Sequence, residues 1–262
     1  MTYQTLLFDL ADGLAIITLN RPANANAMDG AMIRELMDVA IRCDEDAAIR
    51  AVLITGNGKL FSAGGDLKAF AAFGGDIGPK IKELTTYLHA AISRFARMDA
   101  PVIAAVNGMA AGAGMSLALA CDLAIAAESA QFTMAYTAAA LSPDGSASYY
   151  LPRLVGLRRA QELMLTNRRL SAREALEWGM INRVVADGDL MSEARAFAQS
   201  LAHGPTLAYG SVKKLLCETF NRPLETQMEM ESRGIAAMTQ TADGGEGIAA
   251  FLAKRKPEFK GR

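Results

Sequence analysis

Only three cysteines and two histidines occur among the 262 residues of this chain, and that scarcity removes whole classes of site. Cys43, Cys121 and Cys217 are odd in number, lie far apart and show none of the spacings of a zinc site or a disulfide framework, so a reducing compartment and no metal are expected. An excess of one charge is also missing. Lys and Arg number 27 against 28 Asp and Glu, a formal net charge of −1, which does not supply the basic surface that a general nucleic-acid binder needs. No charged, apolar, small-residue leader precedes the first strand-like segment, so a cytoplasmic protein is expected. The run 100–121 carries no charge and is long enough to cross a bilayer. Pro101, the Asn107-Gly108 pair, Gly112 and Gly114 nevertheless split it into a β-branched strand (Val102, Ile103, Val106) and a short helix, so no membrane partner is expected.

What is present is a chain that is 51% hydrophobic, enough for one substantial core. Asp12-Gly13 suits a two-residue hairpin turn between strands at 6–10 and 14–19. Asp29 reads as the N-cap of a helix with Met32, Ile33, Leu36, Met37, Ala40 and Ile41 on its apolar face, followed by a strand at 51–55. A helix over 77–95, a strand at 102–106, a helix at 116–121 and a strand at 123–127 continue the alternation. From Leu157 onward the signals are helical, with a capping box at Ser171 and Glu174, Gly179 as a stop, and Asp243 with Glu246 as a second candidate box. The pattern predicts an α/β body over 1–200 and a helical segment over 201–262. In that segment Met228, Met230, Ile235 and Met238 need a partner surface. The basic tail Lys254, Arg255, Lys256, Lys260 and Arg262 suits a solvated terminus or contact with a nucleotide phosphate.

Two glycine-containing stretches carry the chemistry: Phe61-Ser62-Ala63-Gly64-Gly65-Asp66 and Asn107-Gly108-Met109-Ala110-Ala111-Gly112-Ala113-Gly114. Side chains this small let a ligand oxygen approach the main chain, and the second stretch opens a helix whose N-terminal dipole favours negative charge. Singly, each also reads as a tight turn. As a pair they can form an oxyanion hole, in which each preorganised N–H contributes about 3 kcal/mol to a transition state.

With Leu19-Asn20-Arg21-Pro22, Pro143-Asp144-Gly145, Leu151-Pro152-Arg153-Leu154-Val155-Gly156 and the stretch 247–255, these segments follow the motif order of the crotonase (enoyl-CoA hydratase/isomerase) superfamily, which the chain resembles from about residue 5 onward. The resemblance implies a spiral core of ββα units and C-terminal helices that build homotrimers, often paired into hexamers. It implies an acyl-CoA substrate whose thioester oxygen lies between the backbone N–H groups of Gly65 and Ala113, with coenzyme A entering as part of the substrate and no tightly bound cofactor. Carried over residue by residue, Arg21 and Ala23 meet the nucleotide end, Ala63, Asp66, Leu67 and Lys68 lie near the thioester arm, and Phe251 and Lys254 serve a neighbouring subunit's site.

The hydratase branch uses two glutamates, and this chain has neither. Ser116 and Tyr136 stand at those positions, and each has an ordinary alternative use in a helix start or in packing. Asp144, in the loop Ser142-Pro143-Asp144-Gly145-Ser146, would by itself read as a turn residue or helix cap. Crotonase-like isomerases of the phenylacetate-pathway type have their only carboxylate at this place, and a lone carboxylate with an oxyanion hole can shift a double bond through a dienolate. The 4-chlorobenzoyl-CoA dehalogenase branch has a nucleophilic aspartate there, and the Leu165-Thr166-Asn167-Arg168 region is similar to it. His89 stands at the spacing of that branch's histidine, while Tyr136 replaces its tryptophan. His203, ahead of Gly204-Pro205, reads as a helix-end residue. The expectation is therefore a double-bond isomerase with Asp144 as base. Hydration, dehalogenation and non-catalytic acyl-CoA or RNA binding are the alternatives.

Overall fold

Asp12 and Gly13 take φ of +49° and +81°, the left-handed pair that a two-residue hairpin turn demands. β1 (Leu6–Ala11) therefore folds back on β2 (Leu14–Leu19), with Ala11 opposite Leu14 and Leu6 opposite Leu19. The computed structural model describes residues 3–262. Asp29 caps α1 (Gly30–Glu45) by accepting the Met32 N–H at 2.9 Å. The buried ridge of α1 runs through Met32, Leu36, Val39 and Cys43. Ile41, expected on that face, falls off the ridge and is 42% exposed.

β3 (Ala51–Gly56) pairs with β2 in parallel, and α2 (Leu67–Ala71) and α3 (Ile77–Arg97) follow. The uncharged run beyond them is β4 (Val102–Val106), β5 (Met109–Ala111) and α4 (Ala113–Ala120). α4 is buried at every residue and begins ahead of the expected Ser116, because Gly112 at φ +50° turns the chain into it. Among the described residues no helix is long and apolar enough to cross a membrane. β6 (Leu123–Ala127), β7 (Gln131–Thr133), α5 (Ala147–Val155), α6 (Leu157–Thr166), β8 (Leu170–Ser171), α7 (Ala172–Glu177), β9 (Arg183–Val185) and α8 (Leu190–Ala202) complete the body. The Ser171–Glu174 capping box forms at the start of α7 as expected. α9 (Thr206–Glu218), α10 (Leu224–Thr239) and α11 (Ala242–Leu252) close the chain.

One sheet has the order β1-β2-β3-β4-β6-β9, antiparallel at β1–β2 and parallel elsewhere; a second has the order β5-β7-β8. Single parallel bridges, Ser62 to Ala110 and Met28 to Gly65, extend the second layer past β5. The chain thus repeats one move: a strand in the first sheet, a short step in the second layer, then a helix. β3 leads to Ser62–Gly65 and α2, β4 to β5 and α4, β6 to β7 and α5. This is the ββα spiral expected, followed by helices.

The second capping box is not there. Thr241 caps α11 by accepting the Gly244 N–H, whereas Asp243 lies inside the helix and accepts the N–H groups of Lys260 and Gly261 at 2.6 and 2.7 Å. Glu246 holds Arg255, and that bond first, with the Glu258 N–H, brings the Glu246 carboxyl down to about 2. Part of the basic tail is therefore neutralised within its own segment.

α9 is fastened to the body by a buried cation. Lys213, 7% exposed, donates its three protons to the Phe95 carbonyl at 2.9 Å, the Ala100 carbonyl at 2.8 Å and Asp122 Oδ2 at 2.8 Å. Burial pushes the Asp122 carboxyl up, and Lys213 opposes that rise. Lys213→Met would leave Asp122 with the Val102 N–H alone and no counter-charge and would take a donor from two carbonyls, so the urea midpoint should fall by the equivalent of about 3 kcal/mol, measured by far-ultraviolet circular dichroism.

Candidate active site

The two glycine stretches meet backbone to backbone. Met28 donates its N–H to the Gly64 carbonyl at 2.7 Å and accepts the Asp66 N–H at 3.0 Å, which leaves the intervening Gly65 N–H without a protein acceptor. On the other stretch the Gly112 N–H goes to Thr133 and the Ser116 N–H to Gly112, and Ala113 opens α4 with one of the donors that a helix start leaves free. The approach is too close for side chains. A Cβ on Gly64, at φ +95°, would stand 2.7 Å from the Ala111 oxygen and 3.1 Å from the Ala113 nitrogen; one on Gly114 would stand 2.6 Å from Ser62 Cβ.

Gly65 and Ala113 border a cavity of about 650 Å³. Its apolar walls come from Met28 and Ile33, from Phe70 after α2 begins, and from Ile81, Leu84 and Leu88 on α3. Ile81, Leu84 and Leu88 were not singled out in the sequence, because Leu84 and Leu88, four apart on a helix, carry the same signal as ordinary core. Asp144 is the only carboxylate lining the cavity among the described residues.

The Asp144 carboxylate does not cap the helix that follows it. α5 starts after Ser146, at φ +70°, with no side-chain cap. Asp144 instead accepts the Tyr136 hydroxyl at Oδ1, 2.6 Å away. Tyr136 Oη is also 3.0 Å from Ser116 Oγ, and Ser116 Oγ lies 3.2 Å from the Gly112 carbonyl that starts α4. Burial first, and then the negative charge of Asp144, pushes the Tyr136 phenol well above its ordinary value, so it stays a proton donor at neutral pH. The two residues at the glutamate positions are therefore hydrogen-bonded to each other, and they tie the carboxylate to the start of α4. His89 completes the group: its Nε2 accepts the Gly145 N–H at 3.2 Å and stands 3.7 Å from Asp144 Oδ2.

The remaining residues singled out in the sequence lie around this centre in different states. Ala63 and Leu67 line the cavity. Arg21 is spent internally: its guanidinium contacts the Ala27 carbonyl, Asp29 at 3.0 Å and Asp66 at 2.9 Å. Asp66 caps α2 through the Ala69 N–H; burial raises its carboxyl, but the Ala69 N–H and Arg21 outweigh this and hold it below the usual range. Asp66 and Arg21 thus brace the loop with their side chains and do not present them to the cavity. Ala23 and Lys68 are exposed. Phe251, 83% exposed, and Lys254 lie on and just beyond α11, outside the cavity lining. His203 ends α8, as expected. No group of three or more His, Cys, Asp or Glu that could hold a metal occurs among the described residues.

This arrangement can polarise a carbonyl with two backbone donors while one carboxylate oxygen handles protons beside an apolar chamber. Comparison with known proteins shows the family. Residues 9–262 match the enoyl-CoA hydratase/isomerase family. The 1,2-epoxyphenylacetyl-CoA isomerase of Escherichia coli is 38% identical over 98% of both chains. The 4-chlorobenzoyl coenzyme A dehalogenase-1 of an Arthrobacter species is 38% identical over 93% of this chain and 88% of its own. Among solved structures, an enoyl-CoA hydratase from Polaromonas sp. JS666 superposes with a TM-score of 0.93 at 36% identity, over 97% of this chain and 99% of that one.

The hydroxyl of Tyr136 serves two partners at once. Tyr136→Phe would leave Asp144 Oδ1 and Ser116 without it and should lower unfolding free energy by about 2 kcal/mol, read from urea denaturation.

Proposed function

Because the chain belongs to the enoyl-CoA hydratase/isomerase family, we propose that it moves a double bond along the acyl group of an enoyl-CoA, with Asp144 as its single proton-transfer carboxylate. The observation that carries this reading is that, among the described residues, Asp144 alone supplies a carboxylate to the cavity bordered by Gly65 and Ala113. The thioester oxygen sits between the N–H groups of Gly65 and Ala113, each contributing about 3 kcal/mol to the charge that develops there. Polarised in this way, the thioester acidifies the carbon-bound protons next to the double bond. Asp144 Oδ1 is held by Tyr136, so Oδ2 is the oxygen that lifts a proton from one carbon of the dienolate system and delivers a proton to the other. Hydration would need a second carboxylate to activate water, and Ser116 and Tyr136 occupy the positions where the hydratase branch has them.

Coenzyme A is bound as part of the substrate, with no resident cofactor. Ala63, Leu67 and the exposed Lys68 border its thioester arm, Ala23 lies at its nucleotide end, and Arg21 and Asp66 keep that loop in shape. Phe251 and Lys254 complete a neighbour's site in a homotrimer or dimer of trimers. Segment 201–262 drives that assembly: α10 buries none of its residues and leaves Leu224, Met228 and Ile235 wet. The enzyme works in the cytoplasm.

A second reading rests on His89 beside Asp144 and on the identity shared with the dehalogenase. In it Asp144 attacks an aryl carbon and His89 activates the water that frees the product. Mass and chloride separate the readings. With a 3-enoyl-CoA the protein should produce conjugated thioester of unchanged mass, and Asp144→Ala should lower kcat by about 10²–10⁴-fold. A mass gain of one water would overturn the reading in favour of hydration, and chloride release from 4-chlorobenzoyl-CoA would overturn it in favour of dehalogenation. Light scattering should give the mass of a trimer or hexamer, and Ile235→Asp with Met228→Asp should shift it toward the monomer.

A further inference from the structure

The two oxygens of Asp144 keep different company. Oδ1 accepts the Tyr136 hydroxyl at 2.6 Å, whereas Oδ2 faces Nε2 of His89 at 3.7 Å. Because Nε2 accepts the Gly145 N–H, the neutral imidazole carries its proton on Nδ1 and turns a lone pair toward Gly145 and Asp144. Between a carboxylate and that lone pair nothing passes. Once Oδ2 has taken a proton from substrate, however, it becomes a donor facing an acceptor. The Gly145 contact, at 3.2 Å, is at the long end of the hydrogen-bond range, and Nε2 exchanges it for Oδ2 by closing the 3.7 Å gap by about half an ångström. His89 also reaches solvent: its side chain is 52% exposed against 26% for Asp144.

Resting on the isomerase reading above, we propose that His89 is a positioning residue that acts through Asp144 as its proton outlet to water. Asp144 Oδ2 removes a proton from the enoyl thioester, giving a carboxylic acid and a dienolate. The Oδ2–H bond then breaks as a new N–H bond forms at His89 Nε2, leaving a carboxylate and an imidazolium with protons on both nitrogens. Exchange of the imidazolium protons with water and the reverse transfer return a solvent proton to Oδ2, from which it passes to the far carbon. No oxidant, reductant or further reactant is involved. The proton delivered is then not the proton removed.

The test is isomerisation of a 3-enoyl-CoA in heavy water, with deuterium in the product read by mass spectrometry at low conversion for the wild type, His89→Leu and His89→Gln. The wild-type product should carry a deuteron at the carbon that gains the proton, and the labelled fraction should fall several-fold in both variants as Asp144 returns the proton it took. Glutamine can still accept the Gly145 N–H but cannot carry a proton, so a merely structural histidine would be rescued by it and the label restored. An unlabelled wild-type product, or equal label in His89→Gln and wild type, overturns the role of His89 while leaving isomerisation standing. Absence of any isomer in ordinary water overturns the isomerase reading, and with it this role.

Discussion

The close approach of Gly64 to Ala111 and Ala113, and of Gly114 to Ser62, is the contact on which the architecture turns. Ordinary residues would hold these segments apart by at least a side chain. Glycine lets the Ser62 strand-step lie in parallel register beside Ala110, which brings an N–H from two separate ββα turns to one cavity wall. Two other features follow from the same contact. α4 must begin at Ala113, and its burial on every side means the body of the fold holds the helix start in place. Gly145, at φ +60°, would set a Cβ 3.0 Å from that of Ser116, so the Asp144 loop is also packed against α4. The Gly65–Ala113 wall and the Asp144 loop are thus referenced to a single helix.

α3 supplies the opposite wall. Leu84 and Leu88 are buried in the core cluster and also line the chamber, while the next residue, His89, points out to water beside Asp144. Adjacent positions on one helix therefore face the apolar chamber and the exposed side of the Asp144 loop. Walls as apolar as Ile33, Leu84, Leu88 and Phe70 lower the local dielectric and so strengthen charge interactions beside them.

Much of this was legible from local chemistry. The Asp12-Gly13 turn, the Asp29 cap and the Ser171–Glu174 box are written in neighbouring residues and appear where the sequence puts them. Strands of two or three residues such as β7, β8 and β9 were not legible, since periodicity needs more length than they have. Asp243 misled because its partners, Lys260 and Gly261, come from a tail folding back on it, a tertiary fact with no local signature. At the site, the two glycine stretches stood out from residue type, whereas Gly65, Ala113 and Asp144 were singled out only through the resemblance to a known family, since Asp144 by itself reads as a turn residue or cap. The hydrogen-bonded path from Ser116 through Tyr136 to Asp144 did not, because its members are brought together by three different elements. For the same reason Arg21 read as a ligand contact, although its charge is satisfied by Asp29 and Asp66.

Gly65 and Ala113 present to the cavity a group that every residue but proline possesses. Side-chain truncation, the usual way of mapping an active site, is blind to it: position 113 is already alanine, and at position 65 a methyl group would be added 2.7 Å from the Phe70 ring with the amide left in place. Under the proposed mechanism, a mutational survey of this protein would return Asp144 and its hydroxyl neighbours as the whole site, and would report half of that chemistry as scenery. Removing the amide itself, by an ester bond in the backbone, is the kind of change to which that half of the site responds.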